Sequence, residues 1–205
     1  MSAVEMKNIT KSFGTLKAND SIHLKVNKGN IHAIVGENGA GKTTLMNILY
    51  GIYHADEGEI YINDTAEIID HPAIAIKLGI GMVHQHFMLV KPLTVLENII
   101  LGQEKTKHFG FIDYDYSINK INKLTKEYRI KLNLKSKIEN LTVGLQQRVE
   151  ILKILYREAD ILILDEPTAV LTPQETDELF NTLKNLAQKG KTIILITHKL
   201  SEVMS

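Results

Sequence analysis

The segment Gly36-Glu37-Asn38-Gly39-Ala40-Gly41-Lys42-Thr43-Thr44 has the spacing G-x-x-x-x-G-K-[ST]. Its chemistry is phosphate binding. Glycines let the backbone curl until several N–H groups point at one anion. A helix that starts where the loop ends adds its positive terminus. Lys42 supplies a full charge for the β- and γ-phosphates of a nucleotide, and the Thr43 hydroxyl completes the shell of a Mg²⁺ ion. A second group lies far along the chain, where the apolar run Ile161-Leu162-Ile163-Leu164 ends in Asp165-Glu166. Asp165 suits the metal, through water, and Glu166 suits orienting and deprotonating an attacking water. Alone, a strand ending in two acids is an ordinary structural feature. Beside a phosphate loop it completes a nucleotide-hydrolysing site.

These groups meet only if strands carry them to one edge of a sheet, where ligands sit in open α/β folds. Ile31–Val35 is a short apolar run ending in Gly36 and reads as a buried strand feeding the loop, with a helix from the loop to near Gly51. Ile22, Leu24 and Val26 alternate with His23 and Lys25, the period of a half-buried strand. Ile60 and Ile62, between Gly58 and Asn63-Asp64, read as a strand entering a turn. Pro72 and Gly79 bracket a short helix, and Ile80–Val83 is the next strand. Thr94-Val-Leu-Glu97 and Thr172-Pro-Gln-Glu175 are capping boxes, the second with proline at the first helical position. A helix after Gly144 carries Val149, Leu152, Leu155 and Tyr156 at core spacing. Another turns Leu179, Phe180, Leu183 and Leu186 inward and stops at Gly190. Ile161–Leu164 and Thr192–Thr197 are buried strands.

Residues 94–140 differ. They are Lys- and Asn-rich and mostly helical in pattern, with Ile118, Ile121 and Tyr128 near one face. They read as a helical subdomain inserted between two parts of a core, 1–93 and 141–205; the Lys-rich surface around 120–131 reads as a solvated face. The expected fold class is α/β, a mostly parallel sheet flanked by helices with an antiparallel N-terminal part.

Composition removes several alternatives. The chain has 205 residues, 24 Lys+Arg, 24 Asp+Glu and no Cys. It is long enough for a real core, and it has no means of building a disulfide scaffold, a thiolate metal site or a Cys nucleophile. Zero net charge argues against a generally basic nucleic-acid binder. Arg129, Arg148 and Arg157 are the only arginines, so forked donors are few. No apolar run exceeds four residues, whereas a spanning helix needs roughly 20. The N-terminal MSAVEMKN lacks a signal-peptide apolar region. His84 and His86 flank Gln85 with no evident third metal ligand.

Four further pieces narrow the class. Leu141-Thr142-Val143-Gly144-Leu145-Gln146-Gln147-Arg148 resembles the leucine-serine-glycine-glycine-glutamine signature of ABC ATPases. Val83-His84-Gln85 resembles their glutamine loop, and Ile196-Thr197-His198 their switch-histidine loop. Phe13, in Lys11-Ser12-Phe13-Gly14, matches the aromatic that stacks on adenine. Together with the phosphate loop and the acidic pair they run in the family's order from Phe13 to His198. The whole chain resembles the nucleotide-binding domain of an ABC transporter.

The resemblance implies ATP, rather than another nucleotide, with Mg²⁺. It also implies that two such domains pack head to tail, with ATP between one domain's phosphate loop and the other's signature, here Leu141, Thr142, Val143, Gly144 and Gln146. The signature opens a helix, so backbone N–H groups and a dipole meet the γ-phosphate. Thr142 stands for the usual serine, Gly144 keeps the close backbone approach, and Val143 and Leu145 depart from the commonest pattern. Gln85 is implied to reach Mg²⁺ and the attacking water and to couple hydrolysis to a membrane partner, and His198 to contact the γ-phosphate. After Glu166-Pro167-Thr168, the segment Ala169-Val170-Leu171-Thr172-Pro173 has threonine where most members have aspartate. This segment, with 82–90 and 141–150, is similar to the ATPase subunits of bacterial simple-sugar and nucleoside importers. Such subunits carry two domains in tandem, and this chain looks like the first. The implied partners are a second ABC domain, an integral membrane permease gripped by the helical insertion and the Gln85 loop, and indirectly an extracytoplasmic solute-binding protein. No nucleic acid is implied, and the place of action is the cytoplasmic face of the membrane. A soluble ABC ATPase acting on the ribosome or on DNA is the main rival; the interval from Lys42 to Gly144 is too short for the long coiled coil such proteins carry. Lys42, Asp165 and Glu166 argue against a nonhydrolysing nucleotide binder. The chain ends at Ser205, soon after His198, where family members continue with the rest of a helix and further strands. By itself it is expected to be less stable than a full domain and to hydrolyse ATP poorly.

Overall fold

The computed structural model describes residues 1–199. Strands β1 (Ser2–Phe13) and β2 (Leu16–Asn27) form a hairpin, and β1 pairs on its other side with β4 (Glu57–Ile62). Strand β4 turns back into β5 (Thr65–Glu67) through Asn63 and Asp64, both left-handed at φ 53° and 65°. That conformation fits a two-residue turn that follows the strands' own twist. The result is an antiparallel sheet in the order β2-β1-β4-β5.

The second sheet is parallel. Its order is β3-β8-β7-β6, from β3 (Ile31–Val35), β6 (Ile80–Val83), β7 (Ile161–Asp165) and β8 (Thr192–Thr197). The register aligns their carboxyl ends. Val35 lies opposite Thr197, Ile196 opposite Asp165, and Leu164 opposite Val83. All four strands therefore release their chains at one edge.

Among the described residues six α-helices surround the sheets: α1 (Lys42–Leu49), α2 (Pro72–Lys77), α3 (Val95–Ile100), α4 (Tyr114–Glu127), α5 (Val143–Tyr156) and α6 (Pro173–Gln188). Strand residues alternate between two apolar layers. Ile163, Ile194 and Ile196 face the layer shared with Met6, Ile9, Met46 and Leu49 of the antiparallel sheet and α1. Leu162, Leu164, Ile193 and Leu195 face α5 and α6 through Leu152, Leu183 and Leu186. Burial on both faces explains why β7 and β8 read as unbroken apolar runs. Both capping boxes are formed, at Thr94–Glu97 and Thr172–Glu175.

Two expectations change. Strand β3 is not buried along its length: it is an edge strand among the described residues, with Ile31 and Val35 exposed. Residues 94–140 are less helical than their pattern. Helices α3 and α4 pack on α5, but 101–113 and 129–137 are not α-helical. Arg129 is left-handed (φ 55°), which stops α4 at its carboxyl end. Ile121 and Tyr128 are buried as expected, while Ile118 is only partly so. The helix expected to continue through 200–205 lies outside the described residues.

Candidate nucleotide site

The loop leaving β3 wraps a cleft of about 400 Å³ lined by Phe13, Ala18, 38–44, Gln85 and Glu166, among others. Gly41 precedes the first helical residue of α1 with φ 81°. A Cβ there would lie 2.1 Å from the Ala18 carbonyl oxygen, so only glycine fits. The Asn19 amide also donates to the Gly41 carbonyl at 3.2 Å. Strand β2 of the antiparallel sheet thus fixes the phosphate loop from outside. Helix α1 has no side-chain cap and no acid in its first turn, which leaves its N–H groups for an anion. The Lys42 ammonium donates to the Gly36 and Glu37 carbonyls, each at 2.7 Å.

The strand ends supply the rest. Asp165 closes β7 with 3% of its surface exposed, and its Oδ1 accepts from the Thr43 hydroxyl at 3.3 Å. Burial raises the Asp165 pKa above the usual carboxylate value, against the Thr43 hydrogen bond and the Lys42 charge. Glu166, the next residue, is left-handed at φ 45°, and its N–H donates to the Ile196 carbonyl at 3.0 Å. A non-glycine residue held this way costs about 1–3 kcal/mol and turns the side chain sharply out of the strand direction. The Glu166 carboxylate then lies between two neighbours. Gln85 Nε2 donates to Oε2 at 3.5 Å, and His198 Nδ1 lies 3.2 Å from Oε1.

Phe13 stands at the end of β1, 43% exposed, with Tyr53 edge-on at 5.3 Å. An exposed aromatic on the rim of a nucleotide-sized cleft has a free face for a base. His84 and His86 lie beyond the end of β6, not on it, and His84 packs edge-on against Tyr50. The fold brings Phe13, 36–44, Gln85, Asp165, Glu166 and His198 together. It does not bring 141–146 to this cleft: those residues open α5 elsewhere, with Thr142 as N-cap accepting from the Leu145 N–H. Two contributors to the neighbourhood escaped the sequence reading. Asn19 left only the weak signal of a polar residue in a strand. Glu175 was legible as a helix cap but not as a partner of Gly144, whose N–H donates to it at 3.1 Å.

The ABC transporter family profile matches residues 19–169. The chain belongs to this family. It is 55% identical to the nucleoside import ATP-binding protein NupA of Lactococcus lactis subsp. cremoris, over 98% of the chain and 39% of that protein. It is also 55% identical to the guanosine import ATP-binding protein NupO of Bacillus subtilis, over 93% of the chain and 37% of that protein. The chain therefore spans about two fifths of the length of these curated relatives. Among solved structures, the ADP conformation of MJ1267, an ATP-binding cassette of an ABC transporter, superposes with a TM-score of 0.89 at 31% identity, covering all of this chain and 84% of that one. The dimeric cassette MJ0796 superposes with a TM-score of 0.80 at 26% identity, covering 98% of this chain and 90% of that one.

Proposed function

We propose that this ABC domain binds and hydrolyses ATP to power import of a simple sugar or nucleoside through a membrane permease. One observation carries the hydrolytic part: the strand register delivers Lys42, Thr43, Gln85, Asp165, Glu166 and His198 to one edge of one sheet. The solute class rests on the names of the relatives, nucleoside, guanosine, ribose and xylose import proteins.

The groups divide the work as follows. The loop N–H groups and the start of α1 hold the phosphates, and Lys42 swings its charge from loop carbonyls to phosphate oxygens. Phe13 stacks on the adenine. The Thr43 and Asp165 oxygens form a hard-donor pair that fits Mg²⁺, with Gln85 a third oxygen source. Bound there, the ion would supply positive charge to offset that of the phosphates. Glu166 orients a water and takes its proton, while His198 donates a hydrogen bond to the γ-phosphate and steadies the Glu166 carboxylate. Thr142 and Gly144 serve the nucleotide of a second domain packed head to tail. The insertion 94–140, with the segment after Gln85, grips the permease at the cytoplasmic face of the membrane, and a solute-binding protein acts on the far side. No described helix is long and apolar enough to cross a membrane.

Glu166→Gln in the full-length protein with its permease tests the assignment. Retained ATP binding with hydrolysis lowered about 10²–10⁴-fold is expected from loss of a general base. Unchanged hydrolysis overturns the role of Glu166.

A further inference from the structure

The two groups proposed to meet a second domain's ATP already face a carboxylate of their own chain. The Gly144 N–H donates to Glu175 Oε1 at 3.1 Å. Hydrogen bonds from Thr172 first of all hold the pKa of this carboxylate low, and the Gly144 N–H and the Thr142 side chain add to them. Nothing larger than glycine admits this contact, because a Cβ on residue 144 would lie 2.6 Å from Glu175 Oε1. The two oxygens of Glu175 have separate tasks. Oε2 accepts from the Thr172 N–H at 3.1 Å and from the Thr172 hydroxyl at 3.0 Å, which completes the cap of α6. Capping does not need Oε1, yet Oε1 is placed on the first turn of α5.

We propose that Glu175 is an internal stand-in for the γ-phosphate, an acidic side chain that covers the start of α5 until ATP on a partner domain displaces it. A carboxylate and a phosphate oxygen are both anionic acceptors, so they compete for the same N–H and for the same positive helix terminus. Release needs only rotation of a side chain. Arg148 lies one turn after Gly144 and pairs with Glu178, one turn after Glu175, so α5 and α6 remain tied when Oε1 leaves. Closing the domain pair therefore carries a built-in threshold in ATP. The inference rests on the reading of Thr142 and Gly144 as donors to the partner's nucleotide.

Glu175→Gln probes the threshold with the fold kept, because glutamine also serves this capping box. The amide has a single acceptor oxygen, which the Thr172 N–H claims, and it carries no charge to oppose the phosphate. Full-length protein carrying Glu166→Gln, to block hydrolysis, is titrated with ATP, and pairing of the domains is followed by energy transfer between labels. Thr142→Ala is measured in parallel on the Glu175→Gln background and compared with Glu175→Gln alone, so that the contact between Thr142 and the Glu175 carboxylate does not enter. Half-maximal pairing of the Glu175→Gln protein at several-fold lower ATP, with Thr142→Ala shifted to higher ATP, supports the proposal. An unchanged or raised ATP requirement in Glu175→Gln, with Thr142→Ala shifted, leaves the signature reading standing and overturns the stand-in. An unshifted Thr142→Ala protein overturns the signature reading and the stand-in together.

Discussion

Two helix starts in this chain have glycine where an anion could approach, and they are built differently. Helix α1 begins after Gly41 with no side-chain cap and no acid in its first turn. Helix α5 begins with the Thr142 cap, and its Gly144 N–H is taken by Glu175. The glycines differ in what surrounds them. A Cβ at Gly41 would strike a backbone oxygen, that of Ala18, at 2.1 Å; a Cβ at Gly144 would strike the end of a side chain, Glu175. A wall of backbone cannot step aside, and a side chain can. The first start is thus permanently shaped for phosphate. The second is covered by something removable.

Substitutions at the two glycines separate these designs. Gly41→Ala meets both a fixed obstruction and a positive φ. The strain and the overpacking are each worth about 1–3 kcal/mol. A loss of roughly 3 kcal/mol or more in the denaturant midpoint analysis is expected, with binding of a fluorescent ATP analogue abolished. Near-wild-type stability and binding would show that the Ala18 wall yields, and the comparison would break. Gly144→Ala is the milder change, with an expected loss of about 1 kcal/mol. Its loss should depend on its neighbour. In a double-mutant cycle with Glu175→Ala the costs should be non-additive by about 0.5–1 kcal/mol, since the shortened side chain leaves room for the methyl group. Additive costs would mean that the Glu175 contact is not what constrains Gly144.

The same contrast explains how much the sequence disclosed. Local patterns were legible where one segment carries both the signal and the structure: the apolar runs of β7 and β8, the Thr94 and Thr172 boxes, the inward face of α6. The phosphate loop was legible because its glycines and Lys42 act within nine consecutive residues. The edge position of β3 was not, because strand order is decided by crossovers, and an apolar run reads alike at an edge or a centre. The role of Asn19 was hidden for a similar reason. Its partner Gly41 is brought from another sheet, and no spacing rule joins them. In residues 94–140 the polar, Lys-rich composition favours helix locally, yet left-handed Phe109 and Arg129 interrupt it. The convergence of Gln85, Glu166 and His198 depends on which strands are neighbours and in what register; the alternation of strands and helices implied a parallel sheet, but only the family resemblance joined Gln85 and His198 to the acidic pair.

The smallest expected effect is a difference in sign. Hydrogen bonds from Thr172 foremost, with Gly144 and Thr142 adding to them, hold the Glu175 pKa below the usual glutamate value. The unfolded chain then binds more protons at this residue than the folded one, so its contribution to stability is complete above the ordinary carboxylate range and is lost as pH falls through the lowered value. Asp165 runs the other way. Burial raises its pKa, so the folded chain binds the extra proton and loses stability as pH rises from the ordinary aspartate value through the raised one. Two conservative variants read the two slopes in unfolding experiments across the acid range. The stability advantage of wild type over Glu175→Gln should shrink as pH falls, and the Gly144 amide resonance should shift over the same interval. The advantage of Asp165→Asn over wild type should grow as pH rises, because the amide carries no charge into the buried site. Parallel slopes for the two variants would place both carboxylates in one electrostatic environment. Opposed slopes follow if one helix start is covered by an anion already paid in hydrogen bonds, while the acid beside the other waits for a cation to offset its charge.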